Sequence, residues 1–113
     1  MYARWAALVF CLPCTGCLLT NSVHIGPPQA PRGEGCAVTF EQLRYQDAIS
    51  NYDQVGAVCA NVTEGAADRY EFVRRGVAEE ACGLGGDMVT VVGTCAVGKV
   101  PGVEYGVFRR RGT

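Results

Sequence analysis

The spacing of apolar positions changes several times along this chain, and each change marks an element. Cys36-Ala37-Val38-Thr39-Phe40 alternates, so Cys36, Val38 and Phe40 share one face of a first strand. Leu43 to Asn51 has a mixed pattern, compatible with a turn or a short helical piece. Tyr52 to Ala60 is a second strand, and Gly56 inside it points to close packing or a bulge. Asn61 to Gly65 breaks that pattern.

From Ala66 to Cys82 the period becomes helical. Tyr70, Val73, Val77, Ala81 and Leu84 recur at steps of three and four, and Arg69, Glu71, Arg75, Glu79 and Glu80 fall mainly off that stripe. Asp68 suits the positive end of the helix dipole, Glu71 and Arg75 are placed to pair, and Gly83, Gly85 and Gly86 offer a left-handed stop. Gly76 costs a mid-helix position about 1 kcal/mol against Ala, which suggests a close approach to the sheet. Asp87 to Cys95 is rich in branched residues and reads as a third, central strand. Gly98 to Gly102 is a turn, and Val103 to Phe108 alternates as the fourth strand, hairpinned onto the third. The predicted fold is a small α+β domain of order β-β-α-β-β, with one helix packed on a four-stranded, largely antiparallel sheet.

Ahead of this domain the chain is organised differently. Arg4 precedes the apolar run Trp5 to Leu12, followed by Pro13-Cys14-Thr15-Gly16-Cys17. A positive start, a short apolar run and small residues at a cleavage point describe a secretory signal, and the run is too short to span a bilayer of ~30 Å. The junction resembles bacterial lipoprotein signal peptides, whose pattern is Leu, a small residue, Gly or Ala, then Cys. Thr15, Gly16 and Cys17 match its last three places, whereas Cys14 stands where Leu is usual. The resemblance implies that residues 1–16 are removed and that Cys17 becomes a lipidated first residue. The alternative is an ordinary signal cut near Gly16, leaving a soluble periplasmic binding protein. Leu18 to Gly35 holds Pro27, Pro28 and Pro31 without an apolar period and reads, with Cys17, as a flexible tether. The folded unit is then residues 36–113.

Cysteine content supports this division. The chain has seven cysteines. Cys11 and Cys14 leave with the signal and Cys17 is capped by lipid, so Cys36, Cys59, Cys82 and Cys95 remain as an even set for an oxidising compartment. If the strand face carrying Cys36, Val38 and Phe40 meets the helix, Cys36 can reach the helix end at Cys82, whereas Cys59 and Cys95 each close a strand. The expected bridges are Cys36–Cys82 and Cys59–Cys95, stapling a domain too small for a large core. The gaps of 23, 23 and 13 residues between these cysteines are unlike a zinc knuckle, and Cys11-x-x-Cys14-x-x-Cys17 belongs to the export signal, so no metal is expected.

Ala81-Cys82-Gly83-Leu84-Gly85-Gly86-Asp87-Met88-Val89, together with Val55-Gly56-Ala57-Val58, is similar to the helix-to-strand junction and preceding strand of small Gram-negative envelope lipoproteins. That group includes the outer-membrane stress-sensor lipoprotein of the Rcs phosphorelay, whose domain has a similar layout with two disulfides. Gly86 stands where the group has Ala. The resemblance bears on fold and gives no specific assignment of stress sensing.

The formal net charge is −1, becoming −2 when the +1 of Arg4 is lost, which gives no basic field for nucleic acid. Arg109-Arg110-Arg111 reads as a solvated tail, the other reading being contact with anionic headgroups or a polyanion. The one histidine, His24, lies in the tether; Ser50 has no evident base partner; and Glu41, Asp53, Glu79 and Glu80 fall in surface settings. No catalytic residue and no cofactor is assigned. The expectation is a non-catalytic interaction or sensor module. It is expected to be held by N-terminal lipid in the outer membrane, facing the periplasm, because Leu18 follows Cys17 where an inner-membrane retention signal has Asp, and to serve an envelope protein partner. A structural or inhibitor-like lipoprotein is the alternative.

Overall fold

The computed structural model describes residues 9–12, 16–33, 35–62 and 71–111. Strands β1 (Val9–Leu12), β2 (Gly16–His24) and β3 (Thr39–Phe40) precede helix α1 (Tyr45–Asn51) and strand β4 (Tyr52–Ala60). Helix α2 (Glu71–Gly83) and strands β5 (Met88–Val97) and β6 (Val100–Arg110) complete the chain. The strands form one sheet in the order β1-β2-β4-β6-β5-β3. Five of them, β2 to β3 in that order, make a continuous sheet, and β1 is hairpinned onto β2. All pairs are antiparallel except β3 with β5, where Thr39 lies beside Met88 and Phe40 beside Val89.

The α+β class and the order β-β-α-β-β are present as β3, β4, α2, β5 and β6. The four-strand count and the single helix are corrected: β2 extends the sheet beyond β4, and Leu43 to Asn51 contains α1. The flexible tether is corrected too. Residues 20–24 pair with residues 60–56 of β4, and Leu18 is buried in the main core. The strand lacks a clean alternation because its inner face holds Thr20 beside Leu18, while Val23 on the other face stays exposed. Residues 25–33 then follow, with the Ile25 amide donating to the Val55 carbonyl at 3.1 Å and the Arg32 amide to the Cys82 carbonyl at 2.8 Å. A proline-rich stretch has no period of its own, and here tertiary hydrogen bonds supply the order.

One face of the sheet is covered by α2. Val73, Val77, Ala81 and Leu84 pack with Val58, Tyr105, Val107, Val89 and Leu18. Tyr70 and the start of the predicted helix lie outside the described residues. The helix ends in a Schellman arrangement: the Gly86 amide donates to the Ala81 carbonyl at 2.9 Å and the Gly85 amide to the Cys82 carbonyl at 3.1 Å. Gly85 has φ +84°, a conformation that a side chain would strain. Gly76 meets β2, since a Cβ there would sit 2.5 Å from a Leu18 methyl. Gly56 combines both expected roles, lying at a register shift in β4 and directly against the Val23 carbonyl.

The second face carries a smaller core of Ala48, Met88 and Phe108, over which α1 lies. Thr90, also buried, exchanges hydrogen bonds with the amide and carbonyl of Leu43 at 3.2 Å each, which fastens the segment leading into α1.

Two disulfides join described residues, in the connectivity read from the strand and helix positions. Cys36 is bonded to Cys82, with Cα atoms 6.3 Å apart, and Cys59 to Cys95, with Cα atoms 6.0 Å apart. The second links β4 to β5 across β6, where Cys59 pairs with Glu104 and Cys95 with Gly102. Strands separated by a third lie about 9.6 Å apart in a flat sheet, so the sheet curls sharply around β6 at this end. The sequence separations of 46 and 36 residues correspond, in the chain-entropy account, to about 4 kcal/mol per bridge.

Two measurements test this packing. Non-reducing peptide mapping is expected to return Cys36 linked to Cys82 and Cys59 linked to Cys95. In urea unfolding, Leu18→Ala is expected to cost about 2–4 kcal/mol as a buried large-to-small change. Gly76→Ala should gain about 1 kcal/mol of helix propensity only in the Leu18→Ala background, because in the native background the new methyl meets Leu18. Additive effects of the two substitutions would contradict the contact.

Candidate functional site

The two ends of the sheet differ in chemistry. Cys17 stands near the start of β2, opposite Cys11 of β1. Three residues later Thr20 pairs with Ala60, at the C-terminal end of β4. The expected signal segment falls partly outside the description: residues 1–8 and 13–15 are not described, and residues 9–12 form β1. No described helix is long and apolar enough to cross a membrane.

The opposite end is where β4 begins and β6 finishes, with Tyr52 paired to Arg110 and Asp53 to Arg109. It lies about 26 Å along β4 from Ala60 at ~3.3 Å per residue. The three consecutive arginines of the chain diverge here and do not form a solvated tail. Arg111 Nε lies 3.0 Å from Asp53 Oδ1, Nη1 donates to the Ser50 carbonyl at 2.9 Å, and Nη2 donates to the Ile49 carbonyl at 2.9 Å. A second Nη2 contact reaches the Tyr52 carbonyl at 3.3 Å. This guanidinium therefore satisfies the orphan carbonyls at the end of α1, a helix whose last turn has no cation of its own. Arg110 is held through its main chain, its amide lying 3.2 Å from both carboxylate oxygens of Asp87. Arg109 is half-buried and donates from Nη1 to Gln29 Oε1 at 3.3 Å.

Arg109 and Arg110 border a groove of about 400 Å³ with Arg32, Asp87, Thr39 and Tyr52. Arg32 comes from the strap after β2. Its Nη1 lies 3.3 Å from the Gly86 carbonyl and 3.5 Å from the Ala37 carbonyl. Three arginines and one aspartate thus line one groove. The arginine run was visible in the sequence, but Arg32 is 77 positions from Arg109, and no local pattern links them.

The other residues singled out from sequence lie apart. Ser50 Oγ donates to the Gln46 carbonyl at 2.7 Å within α1, His24 is exposed on β2, and Asp53 is engaged by Arg111. Glu41 and Glu79 are exposed. Among the described residues no group of three or more potential metal ligands comes together.

No family model matches the chain, and comparison with curated proteins and with solved structures found no match either.

The role of Arg111 is directly measurable. Arg111→Ala is expected to lower stability by about 1 kcal/mol, given the exposure of the ion pair, and to speed hydrogen exchange selectively in residues 45–52. Arg111→Lys should not restore protection, because one ammonium cannot span the carbonyls of Ile49, Ser50 and Tyr52 together with Asp53.

Proposed function

We propose that this chain is a non-catalytic interaction module of the cell envelope, anchored by lipid on Cys17 and presenting its arginine-lined end to a partner. The observation that carries the reading is the cysteine pairing. Cys36, Cys59, Cys82 and Cys95 are accounted for by two disulfides, which leaves Cys11, Cys14 and Cys17 in the N-terminal stretch that resembles a lipoprotein signal. Disulfides of this kind suit an oxidising compartment. Leu18 in place of Asp after the acylated residue favours the outer membrane, facing the periplasm.

The position of Leu18 adds a physical consequence. This residue is only 2% exposed and packs against α2 at Gly76. A lipid on Cys17 therefore attaches one residue from the core, and the domain is held close to the bilayer without a long leash. The Ala60 end of the sheet faces the membrane in that arrangement, and the Tyr52–Arg110 end points away from it.

Globomycin treatment of producing cells is expected to accumulate the uncleaved precursor, and the mature N-terminal peptide should carry acyl chains on Cys17. Normal processing under the drug, or an unacylated Cys17 peptide, would rule out the anchor. Crosslinking in intact envelopes should then recover one dominant partner through residues near Arg32 or Arg109.

A further inference from the structure

We infer that the groove between the strap and the end of β6 is an oxyanion-binding site, with Arg32 and Arg109 as its two guanidinium ligands for a carboxylate or phosphate group. A guanidinium carries five N–H donors in a planar fork and no acceptor. Arg32 directs only Nη1 to the carbonyls of Gly86 and Ala37, and Arg109 only Nη1 to Gln29 Oε1. These neutral partners fix the forks in place without cancelling their charge, and among the described residues neither arginine makes an ion pair with a carboxylate. Arginine forks recognise carboxylate and phosphate oxygens in pairs, with charge-assisted hydrogen bonds about twice as strong as neutral ones.

The remaining charges of the groove leave an excess of positive charge. Asp87 is the one carboxylate on its wall among the described residues, and both of its oxygens face the Arg110 amide. Arg110 lines the same groove. Among the described residues that line the groove, the two guanidinium groups of Arg32 and Arg109 outnumber the one carboxylate of Asp87, on a chain whose net charge is −1. Its parts come from the strap, the α2–β5 junction and β6, which the Cys36–Cys82 bridge and the Arg32 amide bond to Cys82 hold together.

The volume of about 400 Å³ fits a small anion or the charged end of a larger chain. Only the direction the groove faces rests on the lipid-anchor reading: with Cys17 acylated, its mouth lies at the end of the sheet away from the bilayer. The anion then belongs to a soluble or partner-borne group and not to the headgroups of the anchoring membrane.

The test uses the full-length purified protein, in neutral detergent where it carries lipid. Inorganic phosphate and citrate are titrated separately while arginine Nε–Hε signals are followed by NMR. Saturable shifts of Arg32 and Arg109 with at least one anion are expected, weakening as sodium chloride is raised. Stronger binding of citrate would identify the carboxylate source, and stronger binding of phosphate the phosphate source. Arg32→Gln and Arg109→Gln should each weaken binding at least tenfold, and Asp87→Asn should tighten it. Arg75→Gln, which alters a cation on α2 outside this groove, should leave it unchanged. Thermal melts check that the variants remain folded, and Arg109→Lys tests the fork directly by keeping the charge while losing affinity.

No saturable response to either anion would overturn the site, as would an equal loss on Arg75→Gln, which would show diffuse attraction to net charge. Binding to phosphatidylglycerol vesicles that requires Arg32 and Arg109, without a response to soluble anions, would overturn the assignment in favour of a membrane headgroup. An unacylated Cys17 with intact anion binding would remove the anchor and leave the site standing.

Discussion

Tyr105 and Phe108 belong to the same strand and are buried on opposite faces of the sheet. A strand apolar on both sides must be covered on both, and the rest of the fold meets that constraint around β6. Helix α2 and Leu18 of β2 enclose Val103, Tyr105 and Val107 on one side, with Phe40 edge-on to Tyr105 at a centroid distance of 6.5 Å. On the other side α1 is short and covers only Phe108 and Met88. The Cys59–Cys95 bridge lies across the same strand further along. Covalent closure over β6 thus stands in for packing that a chain of this length does not supply.

The same constraint explains how the two ends of the molecule diverge. Near Ala60 the sheet is closed by the second disulfide and by reciprocal hydrogen bonds between Leu19 and Asn61. Near Tyr52 it is closed by arginines, each bound differently: Arg111 to the end of α1, Arg110 through its amide to Asp87, and Arg109 to the strap through Gln29. Arg111 is consumed by helix capping and Asp53, whereas Arg109 is held by a neutral amide. The difference in partner, not in residue type, separates a structural cation from one available to a ligand. Arg32 joins the second kind only because the strap is docked on Cys82 and Gly86.

Three features were legible in the order of residues because their determinants are local. Tyr52–Ala60, read as a strand, is β4, the spacing of Val73, Val77 and Ala81 defines the buried stripe of α2, and Gly85 marks its left-handed end. The disulfide partners followed from those placements, since Cys82 ends the helix and Cys59 and Cys95 lie near strand ends. Amide and side-chain periodicities carry this information within a few residues of each position, independent of what packs against them.

What the tertiary structure alone decided involves contacts between distant segments. Residues 18–35 have no period, yet β2 pairs with β4 and Leu18 fills the space left by Gly76 fifty-eight positions later. The proline-rich strap is ordered by hydrogen bonds to a helix end, and the arginine groove assembles from segments at residues 32, 87 and 109–110. Periodicity records which face of an element is buried, but it does not record which other element buries it. Edge pairing, the docking of aperiodic chain and the convergence of charges depend on that second fact, and folding supplies it.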